Sequence, residues 1–307
     1  MRLLSRKFLP TLAIVLATFF WGSSFFTIGK TLEATNPFEL VFWRFTIGAL
    51  LIAPLLGRRI TRIPRQTWRA GVFCGLALTA GYLTSAIGLV SIPSSTSGFL
   101  TALYVPFTPL LMWFVYSKRP SAAAFLAVGI AFLGLILLAN PFGMTFENNA
   151  GELFTIASAF LSAVEIIIAG RFAPHCNARE LAFTQLVMTG AYMAVATLLA
   201  HLFIPDLRPT QYNETFFVGV GWLAVIVGAA QVLLAWGQKT VPPDRAAIIY
   251  SLESVFAAVI GYIAGERLGV GGVTGGALIV LAVFVSEMKG VDAFLNRLIN
   301  RLFTRKK

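Results

Sequence analysis

Residues 121–139 read SAAAFLAVGIAFLGLILLA, and this stretch decides the fold class. It carries no charge, and residues 133–138 are apolar on every side, whereas a strand of a membrane barrel alternates apolar and polar residues. About 20 apolar residues are enough for a helix to cross the hydrocarbon core of a bilayer. The stretch therefore predicts a membrane-spanning helix.

Apolar runs of similar length recur along the whole chain. They lie near residues 10–29, 38–57, 70–90, 96–117, 121–139, 151–170, 181–204, 216–237, 246–264 and 270–288. Hydrophobic residues make up 57% of the 307 residues and charged residues 12%, about half the charged fraction of a soluble domain. We therefore predict an all-α polytopic membrane protein with ten transmembrane helices and no soluble catalytic domain.

The positive charge is distributed unevenly along the chain. The net charge is +11, and 20 of the 24 basic residues fall in segments that share one face of the membrane if the amino terminus is inside. Only Lys30, Arg208 and Arg267 fall on the other face, and Arg44 lies within a span. The positive-inside rule then predicts that both termini are cytoplasmic. Because this charge orients the protein, we predict no nucleic-acid partner and expect a multi-pass protein of a bacterial inner (cytoplasmic) membrane.

The first apolar run resembles a signal peptide in one respect, because it follows three basic residues, Arg2, Arg6 and Lys7. It is longer than the apolar core of a typical signal peptide and lacks a convincing cleavage site of small residues. We therefore expect this run to be retained as the first helix.

The second half of the chain repeats the first. Residues 36–42, NPFELVF, align with residues 177–183, NARELAF, at an offset of 141. At an offset of 149, Ala86, Gly88, Pro93 and Leu103 fall on a second set, Ala235, Gly237, Pro242 and Leu252. We predict a first five-helix repeat over residues 1–140 and a second over 150–288. An odd number of spans per repeat inverts the second copy, which is typical of secondary transporters. Residues 289–307 follow as a basic amphipathic cytoplasmic tail that binds anionic lipid.

Four motifs carry a family resemblance: WGSSFF at 21–26, FWRF at 42–45, IPSSTSGFLTALYVPFTPLL at 92–111 and VPPDRAAIIYSLESVFAAVIGYIAGERL at 241–268. As a set they resemble the EamA family of the drug/metabolite transporter superfamily, over nearly all of both halves. The resemblance implies two inverted halves around a cavity lined by helices 1, 3, 4, 6, 8 and 9. It also implies export of amino acids, metabolites or toxic compounds, with YddG-type exporters of aromatic amino acids as one branch. Ser254 departs from the family, where proline often follows the glutamate of helix 9.

Three ionisable residues lie inside the predicted spans, where a charge is costly and needs a reason. Glu253 is the candidate for binding a substrate ammonium or a coupling proton, and the alternative is a carboxyl that stays neutral or pairs within the bundle. Glu165 either faces the site or reaches the cytoplasmic interface near Arg171. Arg44 is either a ligand for a substrate carboxylate or a structural partner of Glu39, Glu253 or exposed carbonyls, and the structural interpretation is favoured.

Polar and aromatic residues recur at helical spacing on the helices that line the family's cavity. The predicted substrate-binding residues are Trp21, Ser24, Tyr82, Ser97, Thr101, Tyr104, Ser162, Glu165, Gln231, Trp236, Tyr250 and Glu253. Helix association is the alternative for each hydroxyl residue, because small polar residues let membrane helices approach closely. Gly98, Pro106 and Pro109 in helix 4 predict either a flexible gate or a static kink.

Other classes of protein are not supported by the motifs. Cys74 falls in a span and Cys176 in a loop, so we predict no disulfide and no metal site, and we expect no cofactor. The sequence has neither a zinc-protease nor a serine-hydrolase motif and no phosphate loop, so we predict neither an enzyme nor a primary pump.

We expect a monomeric secondary transporter that exports small organic solutes by alternating access around a midplane cavity. Amino acids, including aromatic ones, are the first expectation, then related metabolites and drugs. A flippase or a channel-like facilitator for lipid-linked or other metabolites is the alternative.

Overall fold

The computed structural model describes residues 2–92, 94–117, 121–139, 150–263 and 269–287, and this part of the chain is almost entirely helical. Its α-helices are α1 (Arg2–Leu32), α2 (Pro37–Ile52), α3 (Arg65–Ser91), α4 (Ser94–Thr101), α5 (Tyr104–Tyr116), α6 (Ala122–Ala139), α7 (Ala150–Phe172), α8 (Ala178–Phe203), α9 (Glu214–Gly237), α10 (Pro243–Tyr250), α11 (Leu252–Ile263) and α12 (Val270–Glu287). Short 3₁₀ turns lie at Ala53–Leu55, Gly57–Arg62 and Ala173–His175. Every predicted apolar run therefore coincides with helical structure.

Nine segments within these ranges are long and apolar enough to cross a membrane, and two of them consist of α4 with α5 and of α10 with α11. The apolar stretch Val270–Ser286 of α12 is shorter. Large apolar side chains cover the outside of the bundle, among them Phe114, Leu133 and Val273. A surface of this kind is suited to contact with lipid tails, which fits a multi-pass membrane protein. The predicted tail over 289–307 lies outside the described residues.

The predicted spans over 96–117 and 246–264 are both present, and each is interrupted inside the span, between α4 and α5 and between α10 and α11. The first break, at Ala102 and Leu103, has a local cause in Pro106, whose ring excludes the carbonyl four residues earlier. At the second break, the Ser251 hydroxyl donates to the carbonyl oxygen of Ile248 at 2.6 Å, a bond that hydroxyls also make within the uninterrupted α1. The ninth predicted span, α10 with α11, is thus interrupted without the proline that relatives often have at the position of Ser254.

Several helix boundaries match between the two halves of the chain. Ser94–Thr101 and Pro243–Tyr250 begin and end at the same offset, from 94 to 243 and from 101 to 250. The side chains of Asn36 and Asn177, which the offset of 141 aligns, both cap the helix that follows. The contacts between helices follow the same relation. In the first half α3 packs on α7 and α8 of the second half, and its equivalent α9 packs on α1 and α2 of the first half. This is the pattern of two units related by a two-fold axis. The exact division between residues 140 and 150 stays a prediction, because residues 140–149 are outside the described ranges.

The last helices of the two halves, α6 and α12, pack closely on each other. The contact depends on glycine, since a Cβ atom on Gly134 would lie 2.7 Å from the carbonyl oxygen of Gly275. Small residues that let two backbones approach are a common means of helix association in membranes.

The connection between α8 and α9 is tied to the turn between α1 and α2. The Asn36 side chain donates to the carbonyl oxygen of Arg208 at 3.0 Å, and the backbone N–H of Gln211 donates to the carbonyl oxygen of Ala34 at 2.8 Å. Arg208 in turn donates to the carbonyl oxygen of Leu32 at 3.2 Å. These bonds fix the face of the bundle that carries the α1–α2 turn, and this face is called the turn face below.

Candidate substrate site

A cavity lies inside the bundle between the two halves. Its volume is about 110 Å³, which is room for several water molecules, since one water needs about 10–15 Å³. Six of the predicted spans contribute its lining: Trp21, Ser24, Ile28, Leu40, Val41, Arg44, Ala77, Leu78, Gly81, Tyr82, Ser85, Ala86, Leu89, Thr101, Tyr104, Ser158, Ser162, Glu165, Ile166, Tyr250 and Glu253. The wall therefore combines apolar, aromatic and hydroxyl side chains with three ionisable ones.

The cavity extends towards the turn face. Its lining residues Ile28, Leu40 and Leu89 lie near the end of α1, the start of α2 and the end of α3, which meet at this face. On the opposite side, a buried apolar cluster that includes Ile14 and Ile248 fills the bundle. The cavity is therefore bounded by packed side chains on the side of the amino terminus.

The closed side is held by close packing between α7 and α10. A Cβ atom on Gly170 would lie 2.5 Å from Cγ of Pro243, so the two helices touch at this point. The Gln238 side chain donates to the carbonyl oxygen of Ile166 at 3.3 Å, next to the cavity wall. Movement of α10 against α7 would be needed to open the cavity on this side.

Most of the predicted substrate-binding residues line the cavity. Those that do are Trp21, Ser24, Tyr82, Thr101, Tyr104, Ser162, Glu165, Tyr250 and Glu253. Ser97 and Gln231 are buried in the bundle and are not part of the lining, and Trp236 is 41% exposed on the outside of α9. The structure thus differs from the expected set of lining helices in two ways. The second span, α2, contributes to the wall, although it was not expected to. The eighth span, α9, was expected to line the cavity and does not.

The breaks in the two interrupted helices meet at the cavity. The Tyr104 hydroxyl, at the start of α5, donates to Oε1 of Glu253 in α11 at 3.0 Å. The offset of 149 aligns these two positions, so equivalent residues of the two halves are bonded to each other. Tyr250 packs edge-on against Trp21, with ring centroids 5.4 Å apart, and against Tyr104 at 6.4 Å. Backbone freed from regular helical bonding beside a central cavity is typical of transporter binding sites.

Arg44 of α2 lies in the cavity wall and is 2% exposed. Its guanidinium carbon is 4.9 Å from the centroid of the Tyr82 ring, within the range of a cation–π contact. Its Nε and Nη2 atoms are buried and have no hydrogen-bond partner among the described residues. The predicted pairing with Glu39 or Glu253 is not found among these residues, because those carboxyls contact other groups.

Glu39 contacts the end of α8 and the α8–α9 connection at the turn face. It accepts a hydrogen bond from the Tyr212 hydroxyl of the connection at 3.1 Å and lies 3.3 Å from Nε2 of His201 in α8. Burial raises the pKa of Tyr212, and the nearby Glu39 carboxyl raises it further. Glu39 therefore takes part in a contact between the two halves.

Glu165 lies in the cavity wall on the same helix as Ser158 and Ser162. The residue is 8% exposed, so its carboxyl lies inside the bundle rather than at the interface near Arg171. The Ser158 hydroxyl donates to the carbonyl oxygen of Gly81 at 2.9 Å and links α7 to α3 beside it. The cavity thus contains two carboxyl groups, one from α7 and one from α11.

The residues predicted to form a gate lie along the interrupted fourth span. A Cβ atom on Gly98 would meet nothing within 4 Å, so the backbone there faces open space. Pro106 follows the break at Leu103, and Pro109 is buried within α5. The gate itself stays a prediction.

Several lining residues were not predicted from the sequence. Leu40 and Val41 of α2 are apolar, and nothing distinguishes them in the sequence from core or lipid-facing residues. Ile28 and Leu89 are of the same kind. Arg44 was the only signal that α2 borders the site, because a charge within a span usually faces the interior.

No group of three or more candidate ligands that could hold a metal ion occurs in the part of the chain that the structure describes. Cys74 and Cys176 are both buried and unbonded to each other. Burial raises the pKa of Cys176, which lies outside the spans.

Comparison with known proteins identifies the family. The EamA-like transporter family matches residues 9–140 and again residues 149–288. An uncharacterized transporter of Archaeoglobus fulgidus is 26% identical over 290 residues, which are 92% of this chain and 87% of that protein. The uncharacterized transporter YwfM of Bacillus subtilis is 24% identical over 283 residues, 90% of this chain and 92% of its own. A solved crystal structure shares the fold, with a TM-score of 0.72 at 20% identity over 92% of this chain and 98% of that one. The chain belongs to the EamA-like transporter family and is a multi-pass membrane transporter.

Proposed function

We propose that this protein is a secondary transporter that exports amino acids, aromatic ones included, or closely related metabolites. The observation that carries the proposal is the cavity between the two halves, where both interrupted helices meet and Tyr104 bonds to Glu253. Aromatic rings in its wall suit flat or cationic solutes through stacking and cation–π contact. Its hydroxyl and carboxyl groups suit the polar groups of an amino acid.

The proposed mechanism is alternating access by rocking of the two halves. Because the halves have matching helix boundaries, each can adopt the conformation of the other, and the two resulting states have similar energies. In the state described here the cavity extends towards the turn face and is packed on the side of the amino terminus. When the two halves have exchanged conformations, the cavity would be open on the side of the amino terminus and closed by packed side chains at the turn face.

The proposed arrangement in the membrane has ten spans, with both termini in the cytoplasm. The asymmetry of the basic residues supports it, since the α2–α3 connection alone contains Arg58, Arg59 and Arg62. The turn face is then periplasmic, in a bacterial inner membrane. The cavity would in this state be accessible to the side to which solutes are exported.

The test is transport by the purified protein in proteoliposomes, with a panel of amino acids and with or without an imposed pH gradient. We expect saturable movement of at least one aromatic amino acid. A pair of matched variants assigns the movement to the cavity: Trp21→Leu changes a lining residue, and Trp236→Leu makes the same change on the outside of α9. Transport should fall at least tenfold in the first and stay within about twofold in the second.

Absence of movement for every amino acid would reject the proposed substrate class. Movement that does not saturate with concentration would indicate the channel-like alternative. Equal loss in the two tryptophan variants would remove the assignment to this cavity.

Glu253 is proposed as the residue that couples transport to protons. Replacing it with Gln keeps the acceptor for Tyr104 and removes the titrating group. We expect Glu253→Gln to abolish the response to a pH gradient while movement down a solute gradient remains. An unchanged response would reject coupling through this residue and leave the solute gradient as the driving force.

A further inference from the structure

Arg44 is a charged group of the cavity wall that has no role in the transport cycle proposed above. A guanidinium inside a membrane span is costly, so an unpaired one needs a partner. Within the described residues, its Nε and Nη2 atoms have none, although the side chain is 2% exposed. Glu39 is occupied by Tyr212 and His201, and Glu253 by Tyr104.

Arg44 is part of the cavity wall, and two aromatic rings hold its guanidinium. The guanidinium carbon is 4.9 Å from the centroid of the Tyr82 ring and 5.9 Å from that of the Phe45 ring. A side chain held in this way loses little conformational freedom when it binds. The planar fork of an arginine matches the two oxygens of a carboxylate and bonds both at once.

The rest of the cavity restricts the chemistry of the anion. Glu165 and Glu253 line the same cavity as Arg44. Two carboxyl groups would repel a doubly charged anion such as a phosphate monoester. They would attract or accept hydrogen bonds from the ammonium of a solute whose carboxylate is at Arg44.

We propose that Arg44 binds the carboxylate of the transported solute and makes a free carboxylate a condition for transport. The inference rests on the proposed function, because it assigns a role within that site. It deepens that proposal by defining the class of solute: a monocarboxylate whose amino or other hydrogen-bond-donating group lies towards Glu165 and Glu253.

The experiment compares an amino acid with its amide in proteoliposomes that contain the full-length protein. The amide keeps the side chain and replaces the carboxylate by a neutral group, and it keeps the ammonium when the assay is run well below the pKa of its amino group, about 8. The wild type should prefer the acid by about 10- to 100-fold, the range expected when a hydrogen-bonded charge is lost. Arg44→Gln should lower transport of the acid by a similar factor and leave the amide within about twofold. Arg44→Lys should fall between the two, since it keeps the charge without the fork.

Lys30→Gln is the matched control. It removes a basic residue at the exposed end of α1 near the same face, outside the cavity lining, and should leave the preference for the acid unchanged. Equal transport of acid and amide by the wild type would overturn the inference while leaving the proposed function intact.

Thermal unfolding separates recognition from a structural role. Arg44→Gln should lower the unfolding temperature of the solute-free protein by no more than roughly 8 °C, the loss expected for its contacts with the Tyr82 and Phe45 rings. A larger drop would overturn the inference in favour of a structural charge.

Binding of a simple carboxylate decides the matter even if no amino acid is transported, in which case the proposed function fails separately. Phenylacetate at millimolar concentration should raise the unfolding temperature of the wild type and not that of Arg44→Gln. If chloride or inorganic phosphate stabilises the wild type as much at equal ionic strength, Arg44 is a general anion site and the inference is overturned. No stabilisation by phenylacetate would overturn it too.

Discussion

Replacement of Gly134 by alanine tests the contact between the last helices of the two halves. The new Cβ atom would lie 2.7 Å from the carbonyl oxygen of Gly275 and 2.9 Å from Cγ1 of Ile279. The first of these atoms is backbone and cannot rotate away, so α6 and α12 must separate by several tenths of an ångström. Such overpacking costs about 1 to 3 kcal/mol, whereas alanine in place of glycine favours a helix by about 0.5 to 1 kcal/mol.

Gly129→Ala is the control on the same helix, because its Cβ atom would meet nothing within 4 Å. It gains the helix-forming contribution without the clash, so the difference between the two variants equals the overpacking alone. At about 2 to 4 °C per kcal/mol, Gly134→Ala should unfold roughly 2 to 12 °C below Gly129→Ala. The assay is intrinsic tryptophan fluorescence of the purified protein during a temperature ramp. Equal unfolding temperatures, or a higher one for Gly134→Ala, would refute the close approach of these helices.

Three further changes test the site and the orientation. Tyr104→Phe removes the donor to Glu253 and should destabilise the protein by about 1 to 3 kcal/mol in the same assay, whereas Tyr262→Phe, 61% exposed on α11, should change stability by less than about 0.5 kcal/mol. In a cysteine-free background, a membrane-impermeant thiol reagent added to cells should label Asp206→Cys and not Thr61→Cys, and the reverse result would reject cytoplasmic termini. Cys176 has a raised pKa, so its reactive thiolate is scarce at neutral pH, and its alkylation should accelerate as the pH rises above 8; a rate that is flat from pH 7 to 9 would contradict this.

The helices could be predicted because their cause is local. Each apolar run is long enough to cross a bilayer, and a helix is the structure that pairs its backbone groups within one segment. The breaks in the fourth and ninth spans are less visible in the sequence. Pro106 signals the first break, whereas Ser251 is an ordinary residue for a membrane helix, and its bond to Ile248 also occurs at hydroxyls of the uninterrupted α1. The continuous apolar pattern around Ser251 therefore predicted a single helix.

The lining of the cavity was predicted where the sequence contains polar or aromatic residues on a shared helix face, as at Tyr104 and Glu253. It was not predicted on α2, because Leu40 and Val41 have the same character as residues that face lipid. Trp236 was predicted to bind substrate but lies on the outside of α9, because an aromatic ring suits the lipid interface as well as a binding site. Which face of an apolar helix points inwards is determined by its neighbours, and those contacts are between residues distant in sequence.

The two halves have the same helix arrangement but differ in the side chains at equivalent positions. The helix caps at Asn36 and Asn177 and the ends of α4 and α10 coincide under the repeat offsets, as rocking between equivalent states requires. The offset of 141 that aligns the caps places Gln185 at the position equivalent to Arg44. Gln185 is also buried, and its Oε1 atom has no hydrogen-bond partner among the described residues. In the proposed alternating-access cycle, exchange of the two conformations therefore replaces a fixed positive charge by a neutral amide at the equivalent position. A carrier with identical halves would bind its solute equally well from both sides, whereas this asymmetry lets the two states differ in affinity for a carboxylate. The Tyr104–Glu253 bond joins equivalent positions and so lies near the two-fold axis, where the exchange moves atoms least.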